Sequence, residues 1–206
     1  MALISVSNNA LSNITALPAG LPTGALTLIK SITASSSASI EFINGTSGVV
    51  LDGTYSSYVF KFIDIHPSND NTSFQFNLST DSGSNYNVTK TTTYFQAYQS
   101  ESGASNLLEY DVANDLAQST AYQTITPQIG NDADQSCAGT LTLYNPSSTT
   151  YVKHFISTSN GNLYANYTFN IFMAGYGNTT SAVNAIQFKY SSGNIDDGII
   201  KLYGVS

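Results

Sequence analysis

The sequence predicts an all-β protein, a jelly-roll-like β-sandwich preceded by an extended N-terminal arm. Three observations carry this expectation. Short apolar runs recur along the chain and several alternate with period 2, as in Ile186, Phe188 and Tyr190 set against Gln187 and Lys189. Turn-forming clusters of Gly, Pro, Asn and Asp separate the runs at short intervals. Ser, Thr and Asn make up about a third of the chain, and these residues work against helix interiors. The 206 residues suit a single domain, because sandwiches run to about 200–250 residues as one unit. No period of 20–50 residues repeats, which argues against a solenoid or propeller. A lipocalin-type barrel is the main alternative, disfavoured by the irregular length and spacing of the runs.

Residues 1–25 stand apart as the arm, and residues 26–206 form the sandwich domain. The arm carries no charged side chain, and Pro18, Gly20, Pro22 and Gly24 interrupt it at close intervals. Its apolar residues Leu3, Ile4, Val6, Leu11, Ile14, Leu17 and Leu21 need burial, either along the parent domain or on a neighbouring subunit.

Strands are expected at residues 26–33 and 39–43, with a short one at 49–51. The run 58–65 is the most apolar, with Tyr58, Phe60 and Phe62 on one face and Val59, Ile63 and Ile65 mostly on the other. Such a strand is central, or it borders a subunit interface. His66-Pro67 and the polar residues after it end this run. Residues 74–78 alternate cleanly, and 88–99 form a Thr- and Tyr-rich strand. Residues 101–118 fit either a turn or two of helix or a long covering loop. Strands follow at 121–126, 140–144, 151–157 and 163–174, with a hairpin turn at 159–161 between the last two. The chain closes on two runs, 182–190 and 198–205, joined by a Gly- and Asp-containing connector that reads as a hairpin loop.

Charge excludes several functions. Only 9% of residues are charged, against roughly 25% in an ordinary domain, and the net charge is −7. Arg is absent, and the six Lys residues (30, 61, 90, 153, 189 and 201) do not cluster along the sequence. Nucleic acid and anionic membranes both call for a basic patch, so neither is an expected partner. The N-terminus lacks the basic and apolar regions of a signal peptide, and no run is long enough for a membrane helix. Cys137, the single cysteine, is expected to be structural and excludes an intrachain disulfide.

Chemistry is sparse. His66 and His154 are the candidate bases, but no G-x-S-x-G elbow accompanies them. Glu41, Glu101 and Glu109 are candidate glycosidase acids, though most carboxylates fall in turns where Asp is favoured anyway. Asp132 with Asp134, and Asp196 with Asp197, offer oxygen ligands for calcium without completing a calcium loop. No catalytic residue, cofactor or metal is assigned. Fourteen tyrosines could stack on sugar faces, and Tyr86, Tyr94, Tyr98, Tyr110 and Tyr122 are the candidates for surface recognition.

Four segments carry a resemblance. They are residues 131–146 (Asn-Asp-Ala-Asp-Gln-Ser-Cys-Ala-Gly-Thr-Leu-Thr-Leu-Tyr-Asn-Pro), 149–155 (Thr-Thr-Tyr-Val-Lys-His-Phe), 175–188 (Gly-Tyr-Gly-Asn-Thr-Thr-Ser-Ala-Val-Asn-Ala-Ile-Gln-Phe) and 193–204 (Gly-Asn-Ile-Asp-Asp-Gly-Ile-Ile-Lys-Leu-Tyr-Gly). Together they resemble small virion structural proteins, decoration or tail-associated, of tailed phages, especially marine ones. The closing Leu-Tyr-Gly-Val is the most recognisable part. The resemblance covers residues 120–206 well and the first half weakly. It implies a β-sandwich on the virion, assembled in the host cytoplasm, with no enzyme activity and no transferable set of site residues. The expected function is head decoration by a homo-oligomer, a trimer, docked on major capsid or tail proteins through its arm. The alternative is a tail-fibre subunit that recognises host surface glycans.

Overall fold

The computed structural model describes residues 26–205, so the arm residues Leu3, Ile4, Val6, Leu11, Ile14, Leu17 and Leu21 lie outside it. Twelve strands are present: β1 (Thr27–Thr33), β2 (Ile40–Ile43), β3 (Ser57–Pro67), β4 (Thr72–Ser79), β5 (Lys90–Ser100), β6 (Asn106–Tyr110), β7 (Gln123–Ile129), β8 (Cys137–Tyr144), β9 (Lys153–Asn162), β10 (Tyr167–Gly177), β11 (Ala185–Tyr190) and β12 (Ile195–Val205). They form two antiparallel sheets packed face to face, a β-sandwich as the alternation predicts. The larger sheet has eight strands in the order β1-β12-β3-β8-β9-β10-β5-β6, and the smaller has four in the order β2-β11-β4-β7. No helix among the described residues is long and apolar enough to cross a membrane.

Phenylalanines from both sheets meet at one ring. Phe188 of β11 lies 5.2 and 5.3 Å, centroid to centroid, from Phe62 and Phe60 of β3 in the opposite sheet. Within its own sheet it lies 6.0 Å from Phe74 and 6.2 Å from Phe42. Every one of these rings is buried. The pairs with Phe62 and Phe42 are edge to face, which suits the aromatic quadrupole.

Four expectations need correction. The two C-terminal runs are not a hairpin. β11 pairs with β2 and β4 in the smaller sheet, while β12 pairs with β1 and β3 in the larger, so residues 191–194 form a corner that crosses the core. Both runs present apolar residues to the same interior, which two strands adjacent in one sheet or facing across two sheets satisfy equally well. The turn placed at 159–161 is part of β9, and the hairpin closes instead at 163–166, where Asn166 N–H donates to the Leu163 carbonyl and Asn166 takes φ +60°. Ser159 and Gly161 face inward, and a Cβ at 161 would come within 2.6 Å of the Ile129 side chain. Gly161 therefore serves sheet-to-sheet contact, not turning. Residues 101–118 contain no helix; they supply β6 and a turn-rich cover. Residues 49–51 form no strand, although Val49 and Leu51 are buried.

β3 follows its predicted faces until Asp64, whose φ of +50° marks a bulge, with a register shift against β8 between Phe62 and Ile65. The extra residue turns Ile65 into the core while Ile63 stays 36% exposed. At the C-terminus, Gly204 lies under the Tyr55 ring, where a Cβ would come within 2.4 Å of the ring carbons.

Candidate functional site

One broad surface of the domain is the outer face of the eight-stranded sheet. Period 2 sends every second residue of β5, β9 and β10 outward. Cross-strand registers align these residues into rows. One row runs Lys201, Lys61, Thr140, Thr158, Phe172, Phe95, Tyr110 from β12 to β6. A second runs Tyr203, Val59, Thr142, Ile156, Ala174, Thr93. Eight strands at ~4.8 Å spacing make this face roughly 34 Å wide.

From β8 to β6 none of the outward residues is Asp, Glu, Lys or Arg. Phe95 and Phe172 stack at 5.2 Å and 12°, each 42% exposed. Leu108, beside them on β6, is 72% exposed. Small residues at 174 and 175 leave a depression of about 430 Å³ between Ile156, His154 and Tyr176. His154 continues into a second depression with Tyr144 and Tyr151, the latter 70% exposed. The face is thus uncharged, and it mixes threonine and asparagine with exposed aromatic side chains.

The five tyrosines singled out from the sequence are not brought together. Tyr94 is a correction: it is fully buried and its hydroxyl donates to the Ile125 carbonyl, because the even positions of β5 face inward. Tyr86 and Tyr122 lie half-buried near Glu41. The Tyr122 hydroxyl bonds Gln187, whose amide donates to Glu41 at 2.5 Å, and the Lys189 ammonium lies 4.3 Å from the Tyr122 ring centroid. Tyr110 is exposed at the far edge and donates to Asp115. Tyr98 is half-buried on the inner side of the same sheet. Missed from the sequence were Phe95, Phe172, Tyr144, Tyr151 and Tyr176. For the four strand residues the signal is an aromatic at a position opposite to the core set of its own strand, whereas Tyr151 precedes β9 and carries no such mark.

Some of the polar candidates are brought to one depression and the others lie apart. His66 pairs Nδ1 with the Gln135 carbonyl at 2.6 Å, and His154 stands on the outer face with its ring 6.2 Å from Tyr176. Asp64, Asp134, Asp196 and Asp197 line one depression with His66, while Asp132 is engaged in a turn with Gln135. Among the described residues no three of His, Cys, Asp and Glu are grouped to hold a metal. Glu109 accepts from Gln96, and Glu101 is exposed in a turn. Cys137 is buried, its thiol pushed up to about 12 by desolvation, which leaves it without thiolate chemistry.

Folding brings together two lysines the sequence keeps apart. Lys61 and Lys201 are direct cross-strand neighbours, and Lys61 lies over the Tyr203 ring at 5.3 Å. Two ammonium groups beside a threonine- and aromatic-rich face make no basic stripe. Lys90 and Lys153 are buried. Compared with protein-family descriptions, curated proteins and solved structures, the chain matches none.

Proposed function

We propose that this chain is a non-enzymatic structural subunit of a tailed-phage virion, a head decoration protein that works as a homotrimer. The observation that carries the reading is the uncharged outer face from β8 to β6, with Phe95 and Phe172 stacked and exposed at its centre. Exposed aromatic side chains grouped on a surface without charge favour protein contact. The resemblance of residues 131–204 to small phage structural proteins supplies the virion context. The strand order adds support. With β5-β6 and β9-β10 set aside as additions, the remaining strands form two four-stranded sheets, β1-β12-β3-β8 and β2-β11-β4-β7. We read this as a jelly roll, a fold recurrent in capsid domains.

Assembly is tested by sedimentation of wild type and the Phe95→Glu, Phe172→Glu double variant. The wild type is expected to sediment as a trimer and the variant as a monomer with an unchanged melting temperature, because two buried carboxylates disfavour the interface. A wild type that stays monomeric on concentration would overturn the assembly reading. The virion placement is tested separately by immunogold labelling of intact particles, with heads labelled and tails bare as the expected result. Deletion of residues 1–25 should abolish incorporation while the sandwich still folds.

A further inference from the structure

A second surface lies on the opposite side of the larger sheet. β7, the edge strand of the smaller sheet, packs over β9 and β10, so β5 and β6 project past it. The step left between the sheets is a groove of about 350 Å³. Its floor is aromatic. Tyr98 stacks on Phe169 at 5.3 Å and 29°, and Tyr167 meets Tyr98 edge to face at 5.7 Å. Tyr164, on the β9–β10 turn, stands at the rim and is 43% exposed.

One acceptor of the polar lining is left unpaired. Gln96 is only 6% exposed, yet its Oε1 has no partner. Its Nε2 donates to Glu109 Oε1 at 3.0 Å, and a carboxylate can only accept, so the amide cannot be flipped to satisfy the oxygen. An unsatisfied buried carbonyl is costly, and a ligand hydroxyl donating to it would remove that cost. Gln128, held at φ +53°, adds an amide to the same groove.

From these features we propose that the groove is a binding site for a neutral saccharide. A pyranose has an apolar C–H face for the tyrosine floor and hydroxyl donors for Gln96 Oε1 and Glu109. No Lys, Arg or His lines the groove, and Glu109 repels anions, so uronic acids and sialic acids are excluded. The site lies across the sheet from the assembly face and stands or falls independently of it.

The test is a glycan array bearing neutral, amino and acidic bacterial saccharides, probed with the full chain, with hits titrated by tyrosine fluorescence. Wild type is expected to bind neutral sugars and not acidic ones. Tyr164→Ala, at an exposed rim position, and the similar-sized Gln96→Leu should each weaken binding at least tenfold without changing the melting temperature. Should Gln96→Leu fail to fold, Tyr164→Ala alone decides. The proposal is overturned if folded wild type retains no neutral sugar. Retention of acidic or amino sugars alone would also overturn it. So would neutral-sugar binding that survives the Tyr164→Ala change, because the site would then lie elsewhere.

Discussion

Replacing Phe188 with Ala is expected to destabilise the sandwich by ~3–5 kcal/mol, the range for truncating a buried aromatic. The ring is fully buried and touches Phe60 and Phe62 across the core and Phe42 and Phe74 within its own sheet. Its loss forfeits transfer free energy and also opens a cavity between two sheets. The strands around it are hydrogen-bonded on both sides, so they cannot collapse inward to fill the space. A domain holds only about 5–15 kcal/mol in all, so this single change removes a large part of it. Urea unfolding should show the midpoint fall with the slope retained. Phe188→Leu should cost far less, about 1–2 kcal/mol, since much of the volume is kept. A loss under ~1 kcal/mol in the Ala variant would show that the two sheets are not held together at this ring.

The second large effect is a dependence of stability on pH that runs through Lys90. Its ammonium group is fully buried, bonded to Asn77 Oδ1 at 2.5 Å and the Val88 carbonyl at 2.9 Å. Desolvation lowers its pKa from 10.5 to about 7. Below pH 7 folded and unfolded chains both hold the proton, and the cost of burying the charge is at its full value. Between pH 7 and 10 the unfolded chain binds more protons than the folded one, so stability rises with pH. At 1.36 kcal/mol per unit Lys90's own contribution approaches roughly 4 kcal/mol near pH 10. The buried Cys137 thiol, raised from 9 to about 12, opposes the climb from about pH 9, and above pH 10 Tyr94 and Tyr190, kept neutral by burial, reverse it. Lys90→Met should flatten most of the climb. Asn77 Oδ1 keeps the Leu78 N–H, so the variant loses one partner at Val88 and not a network. The small slope that persists belongs to Lys153, whose pKa burial also lowers and whose ammonium bonds the Tyr151 and Thr179 carbonyls. Unfolding midpoints measured across pH 6–10 for both proteins check this; parallel curves would refute it.

These two residues differ in how far they can be read from the chain itself. Phe188 belongs to an alternating run, and its burial follows from Gln187 and Lys189 on either side. Lys90 opens a strand with no local mark of burial. It is covered because residues 118–120 fold back beside it, with Lys90 and Ser119 exchanging backbone hydrogen bonds, and because Asn77 bonds both Thr120 and the ammonium. The candidate surfaces divide in the same way. That β5, β9 and β10 each have an open side follows from period 2. That Phe95 stacks on Phe172, or that Gln96 is left with a bare oxygen beside Tyr98, depends on which strands become neighbours.

Local alternation therefore determined that the chain is built of strands, which side of most of them is buried, and that charge contributes little to its surface. Tertiary structure alone decided that 185–190 and 195–205 belong to different sheets, that Asp64 bulges to turn Ile65 inward, and that the hairpin after β9 closes at 163–166. The reason is physical. A side chain's face is set by its immediate backbone, whereas pairing partners and register are selected by packing among residues far apart in the chain, where several pairings bury the same apolar faces equally well.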